Sequence, residues 1–200
     1  MNLIPYVIEK TEAGERSMDI YSRLLQDRIV WITGEVEDNG MNNAAASLLL
    51  LNNQSEVEPI YLYINSPGGS VHSGEVLINV MRHIKAPVYT ICVGMAASMG
   101  AVILSCGEKG HRYCMPYSDV MLHQVSSGTS GNIQDQRVSL QYSENLNRRL
   151  MTVLAENCGK SYKQILKDTT RDLWLSPEEA VAYGVVDHIL TPDLMNTNRE

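Results

Sequence analysis

The 200-residue sequence contains no phenylalanine, four cysteines, two tryptophans and no long apolar run. No stretch approaches the ~18 consecutive apolar residues of a membrane helix, so no membrane span is expected. The start, Met1-Asn-Leu-Ile-Pro5, has no basic region followed by an apolar one, so no signal peptide is expected either. Basic residues are outnumbered: 16 Lys and Arg against 23 Asp and Glu leave a net charge of −7, which argues against an electrostatic nucleic-acid binder. The cysteines, Cys92, Cys106, Cys114 and Cys158, are widely spaced with no C-x-x-C pair. That spacing argues against a zinc site or disulfide frame and predicts buried reduced thiols in a reducing compartment. Internal repeats and low-complexity tracts are absent. What is present is 44% hydrophobic content, enough for a real core, at a length that suits one domain or one plus an appendage.

The chain reads as alternating strands and helices. Residues 1–18 fit a hairpin or a mobile arm, and Asp19 to Leu25 has helical spacing at Ile20, Leu24 and Leu25. Arg28 to Thr33 predicts a strand. Met41 to Leu51 predicts a helix that is apolar nearly all round and packed on several sides. Ile60-Tyr-Leu-Tyr-Ile64 predicts a strand covered on both faces, followed by Asn65-Ser-Pro-Gly-Gly-Ser70 and a helix from Val71 to about Ile84. Val88 to Val93 is a further strand, then a tight turn and a buried helix from about Ser98. Three strand-helix units in succession imply an α/β fold with a parallel sheet, so the two glycine-rich turns lie at the same edge. Short strands at His111–Cys114 and Val120–His123 precede a Gly/Ser loop. A helix from about Asn132 to Asn157 then has a polar first half and an apolar stripe at Leu146, Leu150, Val153 and Leu154. At roughly 35–40 Å it overreaches a small core, so its polar half is expected to project. Ser161 and Ser176 open two capped helices, Val185 to Leu190 is a last strand, and the tail from Thr191 is polar and expected to be loose.

Gly94-Met-Ala-Ala-Ser98-Met-Gly100-Ala101 is the stretch with chemical promise. A serine at a helix start, walled by small residues, leaves room for a substrate carbonyl beside free N–H groups. The same serine could simply cap a core helix. The elbow pattern Gly-x-Ser-x-Gly is broken, because Ala96 stands at its first glycine. A serine nucleophile needs a base, and the base an orienting acid. Of five histidines, His123 ends an apolar strand before a Gly/Ser loop, a good place to present an imidazole. Asp172, between Arg171 and Leu173-Trp-Leu175, is expected to be partly buried, as an orienting acid needs; it could equally pair with Arg171. These residues alone support an α/β protein with the makings of a serine hydrolase.

Five blocks in order resemble one family along nearly the whole chain. They are Gly14 to Leu25, Ile60 to Gly69, Gly94 to Ala101, Met121-Leu-His-Gln124, and Arg171 to Ser176 running on to Ala182-Tyr-Gly184. The family is the Clp protease proteolytic subunits (ClpP), serine peptidases. The resemblance implies a crotonase-like βαβ spiral with a projecting long handle helix, at about 124–157. It also implies an N-terminal axial segment over 1–18, one peptidase domain over 19–193 and a flexible tail over 194–200. Ser98 is then the nucleophile, His123 the general base and Asp172 the orienting acid, with Gly69 and Met99 donating backbone N–H groups to the oxyanion. The implied activity is endopeptidase cleavage of unfolded polypeptides and short peptides, with segments beside His123 and Gly69 pairing with the substrate as an added strand. The implied assembly is two stacked seven-membered rings around a closed chamber, homomeric or with related Clp subunits. An AAA+ Clp unfoldase is the implied partner, docked at Tyr61, Tyr63, Ile91, Tyr113 and Leu190. No metal or cofactor is expected, ATP being used by the unfoldase, and the implied location is cytoplasmic or the plastid stroma.

Several positions depart from the family pattern. Thr170 replaces an acid beside Arg171, a pair that joins the two rings in the family, and Val125 replaces a proline after His123-Gln124. His83 stands where the docking cleft usually has phenylalanine, which bears on the strength or selectivity of docking. The sequence starts close to where mature members of the family start, so little or no propeptide is expected. The alternative reading is a catalytically silent structural subunit of a mixed ring, although such subunits lose triad residues and this chain keeps all three. A crotonase-type acyl-CoA enzyme would have no need of the Ser98, His123 and Asp172 set, and a cysteine enzyme is disfavoured because Cys92, Cys106 and Cys114 are expected to lie within strands or helices.

Overall fold

Runs of β-branched and aromatic residues form the central strands of the computed structural model, which describes residues 4–11 and 14–192. The hairpin β1 (Tyr6–Thr11) and β2 (Gly14–Asp19) pairs antiparallel and stands apart from the main sheet. Asp19 then caps α1 (Ile20–Gln26), its carboxylate accepting the Tyr21 and Ser22 N–H groups. The expected tail at 194–200, like the first three residues, lies outside the described residues.

Three strand-helix units follow: β3 (Ile29–Thr33) with α2 (Asp38–Gln54), β4 (Ile60–Ser66) with α3 (Val71–His83), and β5 (Val88–Ala97) with α4 (Met99–Ser105). Then come β6 (Arg112–Cys114), β7 (Asp119–Leu122), α5 (Ile133–Cys158), α6 (Tyr162–Asp168), β8 (Leu173–Leu175), α7 (Pro177–Tyr183) and β9 (His188–Ile189). The sheet runs β3-β4-β5-β6-β9, all neighbours parallel. Near its end β5 leaves β6 and takes β7 as its parallel partner, and β8 adds antiparallel to β7. This is the α/β arrangement with a long helix that the sequence implies.

The period-2 alternation of the strands separates two faces. Ile60, Leu62 and Ile64 of β4 point into the main core with Leu48, Leu51, Leu77, Ile103 and Leu104 of the helices. Tyr61 and Tyr63 point the other way, into a small second cluster with Ile91, Tyr113 and Leu190. Full cover of β4 on both faces is therefore corrected: Tyr61 and Tyr63 stay half-buried, because among the described residues no helix packs into the cluster on that face. The all-round packing expected of α2 is corrected too. Met41, Ala44, Ala45, Leu48 and Leu51 are buried, while Leu49 and Leu50 are exposed, since α2 meets the sheet and α3 along one side only. The last strand shrinks to His188–Ile189.

Arg112 locks the far side of the core. Its guanidinium is buried and pairs with Asp187 through Nη2–Oδ1 at 2.6 Å and Nε–Oδ2 at 2.8 Å. Nη1 donates to the carbonyls of Ser105 at the end of α4 and Asn157 near the end of α5. Burial works against ionisation of Asp187, but the Arg112 guanidinium and the Arg112 and Gly110 amides outweigh it and hold the carboxyl below its ordinary range. Asp187→Asn is expected to destabilise the fold by about 3–5 kcal/mol, because it strands a buried cation. Because the folded-state pKa is lowered, the pair's contribution is full above the unfolded value of about 3.9 and is lost as pH falls through the folded one. Denaturant titrations at neutral and acid pH check both: the wild type should lose stability below about pH 4 more steeply than the variant.

Candidate active site

Ser98 stands where β5 turns into α4, at φ 54° and ψ −122°. A non-glycine residue in this region costs of order 1–3 kcal/mol and persists only when its surroundings hold it. Ser98 N–H donates to the Met121 carbonyl of β7 at 2.9 Å, and the Ala101 and Val102 amides donate to the Ser98 carbonyl. Its hydroxyl caps nothing. The reading of Ser98 as an ordinary helix cap therefore fails. The expected turn over Gly94–Ala97 is also corrected, since β5 continues through it to pair Met95, Ala96 and Ala97 with Asp119, Val120 and Met121.

That pairing delivers the imidazole. With Ala97 level with Met121, the residues just beyond the ladder come together, and His123 Nε2 lies 2.7 Å from Ser98 Oγ. The antiparallel ladder of β7 and β8 ends at Leu122 opposite Leu173, which sets Asp172 beside His123. His123 Nδ1 and Asp172 Oδ1 are 3.7 Å apart, beyond hydrogen-bond length. The expected partial burial of Asp172 is corrected: its side chain is 61% exposed, because β8 is a three-residue edge strand that, among the described residues, pairs with β7 alone.

The Gly-Gly turn closes against this serine. A Cβ on Gly68 would lie 2.6 Å from Ser98 Cβ and 2.7 Å from the Ala97 carbonyl, so only glycine permits the approach. The next residue, Gly69, forms a parallel bridge with Val36 that uses the Gly68 carbonyl and the Ser70 N–H. The Gly69 N–H takes no part in that bridge. Gly69, Ser98, Met99 and His123 line one cavity of about 160 Å³, whose apolar wall is Val71, Val102, Val125, Leu150 and Met151. Sequence reasoning placed Leu150 in the α5 stripe but missed the cleft wall, since the meeting of α5 with α4 is a tertiary fact. Tyr61, Tyr63, Ile91, Tyr113 and Leu190 also come together, as the second cluster on the opposite sheet face, joined by Val93 and Met115. His83 is exposed near the end of α3.

An α/β fold that presents a strained serine to an imidazole, with a carboxylate just before the adjoining strand, has the layout of a serine hydrolase. The comparisons narrow that class. The chain belongs to the Clp protease family, whose model matches residues 12–193, and it is a serine-type peptidase. It is 50% identical over 190 residues to the ATP-dependent Clp protease proteolytic subunits of Streptococcus pyogenes serotype M5 (strain Manfredo) and of Streptococcus equi subsp. equi (strain 4047). These alignments cover 94% of this chain and 97% of each relative.

Gly68→Ala is expected to displace Ser98 and lower hydrolysis of a short peptide by about a hundredfold, the usual scale of an ångström-sized misplacement. Gly40→Ala in α2, where an added Cβ meets nothing within 4 Å, should leave the rate unchanged. Steady-state assays of the two variants side by side check the pair.

Proposed function

We propose that this chain is the proteolytic core of an ATP-dependent protease, hydrolysing unfolded polypeptides and short peptides through Ser98, His123 and Asp172. The hydrogen bond between Ser98 Oγ and His123 Nε2, in a member of this family, carries the reading. Ser98 Oγ attacks the peptide carbonyl as His123 Nε2 takes its proton. The Gly69 and Met99 N–H groups hold the oxyanion. His123 then returns the proton to the leaving amine, and water, activated by the same imidazole, releases the acyl group. Asp172 orients His123; the 3.7 Å gap closes to a hydrogen bond as the imidazolium forms. No cofactor enters these steps. The substrate lies extended along Gly69–Val71 and the segment after His123, added as a strand.

The same reading puts the chain in two stacked rings of seven around a closed chamber, alone or with related Clp subunits. Apolar surface that the single chain leaves bare supports self-association: Leu49 and Leu50 on α2, and Ile133, Val138, Leu140 and Tyr142 on the first half of α5. With 26 residues, α5 is about 39 Å long and serves as the handle between rings. The β1–β2 hairpin is the axial segment. The Tyr61, Tyr63, Ile91, Tyr113 and Leu190 cluster takes an apolar loop of an AAA+ Clp unfoldase, which supplies the ATP hydrolysis. The location is cytoplasmic or stromal.

Ser98→Ala should abolish hydrolysis of a fluorogenic peptide while leaving the elution of the assembly unchanged. Asp172→Asn should cut turnover by between about 10²- and 10⁴-fold. Native size separation with peptide assays across the eluate checks both. Residual activity in pure Ser98→Ala would remove the nucleophile assignment, and an unchanged rate in Asp172→Asn would move the acid elsewhere.

A further inference from the structure

The β7–β8 ladder stops at Leu122 and Leu173, one residue short of His123 and Asp172. Something outside the ladder must set their separation. A chain of side-chain amides crosses that gap. The Val125 N–H donates to Asn147 Oδ1 at 3.0 Å, Asn147 Nδ2 to Gln124 Oε1 at 3.2 Å, and Gln124 Nε2 to the Leu166 carbonyl at 3.2 Å. The direction of the chain is forced from both ends. The Leu166 carbonyl can only accept, so Gln124 turns its Nε2 to it, and the Val125 N–H can only donate, so Asn147 turns its Oδ1 to it. The two amides then meet donor to acceptor. Both side chains are half-buried.

The Leu166 carbonyl also accepts from Thr170 Oγ1 at 3.1 Å, and Thr170 is two residues from Asp172. One carbonyl near the end of α6 thus gathers the segment after His123 and the segment before Asp172. At the other end, Asn147 sits on a part of α5 that is itself tied to α3: Arg149 makes a bidentate pair with Glu75 at 2.6 and 2.8 Å, and Tyr142 contacts His72. The helix α3 begins two residues after Gly69, with Ser70 as its N-cap.

We propose that Asn147 is a positioning residue for the peptidase reaction. Through Gln124 and Leu166 it sets the distance between His123 and Asp172, and it registers that pair against α5, whose Leu150 and Met151 wall the cleft. The inference rests on the triad reading above. Asn147 touches no reacting atom; its effect passes through the orientation of His123.

A double-mutant cycle on the assembled full chain, read as kcat and KM for a fluorogenic peptide, tests it. Asn147→Ala should lower kcat by about tenfold or more. In the Asp172→Asn background, where His123 has no ionised partner to be aligned with, the same change should cost less than about twofold. Asn147→Asp keeps the volume and the Val125 contact but sets an oxygen against Gln124 Oε1, so it should show the same non-additivity; it replaces the alanine variant if that variant does not fold. Losses that multiply in the double variant, an effect on KM alone, or full activity in Asn147→Asp would overturn the proposal while leaving the triad standing. An undiminished rate in Asp172→Asn alone is the distinct result that removes the triad reading, and this inference with it.

Discussion

The structure turns on one exchange of hydrogen-bond partners along β5. Up to Cys92 this strand is paired to β6, and from Met95 it is paired to β7. The change of partner brings β7, and with it His123, alongside the end of β5, while β8 follows on β7 with Asp172. It also leaves Ser98 to absorb the turn into α4 at a positive φ, held by its N–H on Met121 and pressed by Gly68. Had β6 stayed beside β5 to its end, serine and imidazole would lie on strands that do not touch. The strain at Ser98 and the reactive contact at His123 are two consequences of the same pairing.

Local pattern made much of the fold legible. The run of strand formers from Ile60 to Ile64, the capping box at Ser176 and Glu179, and the glycines at Gly159 and Gly184 mark real element boundaries. What local pattern could not carry was anything settled by distant partners. Gly94–Ala97 reads as a turn because small residues seldom build strands, yet β7 makes it one. Asp172 reads as partly buried because Leu173 and Trp174 follow it, but it directly precedes an edge strand, where alternation leaves Trp174 exposed as well. The settings of Ser98 and His123 at strand ends made them candidates, and the family resemblance, not those settings, gave them their roles. The Asn147 and Gln124 amides were not legible, since 23 residues separate them and neither position has a distinctive neighbourhood.

The surface has its own logic. Among the described residues, Leu49 and Leu50 of α2 and Ile133, Val138, Leu140 and Tyr142 of α5 are apolar side chains left exposed by the single chain. The aromatic sheet face around Tyr63, stacked on Trp31 at 5.1 Å, lies on the other side of the sheet from the main core. Under the proposed function, assembly and partner docking would use different faces of the sheet and of α5, and α5 itself touches both the cleft wall and the outer surface.

The most direct test of the central claim is covalent. A fluorophosphonate reacts with a serine only when a base activates its hydroxyl, and the adduct can be located by mass spectrometry of the digested protein. The account predicts one adduct per chain, on Ser98 Oγ, and its loss in His123→Ala. An adduct on another residue, or undiminished labelling of Ser98 without His123, would contradict it.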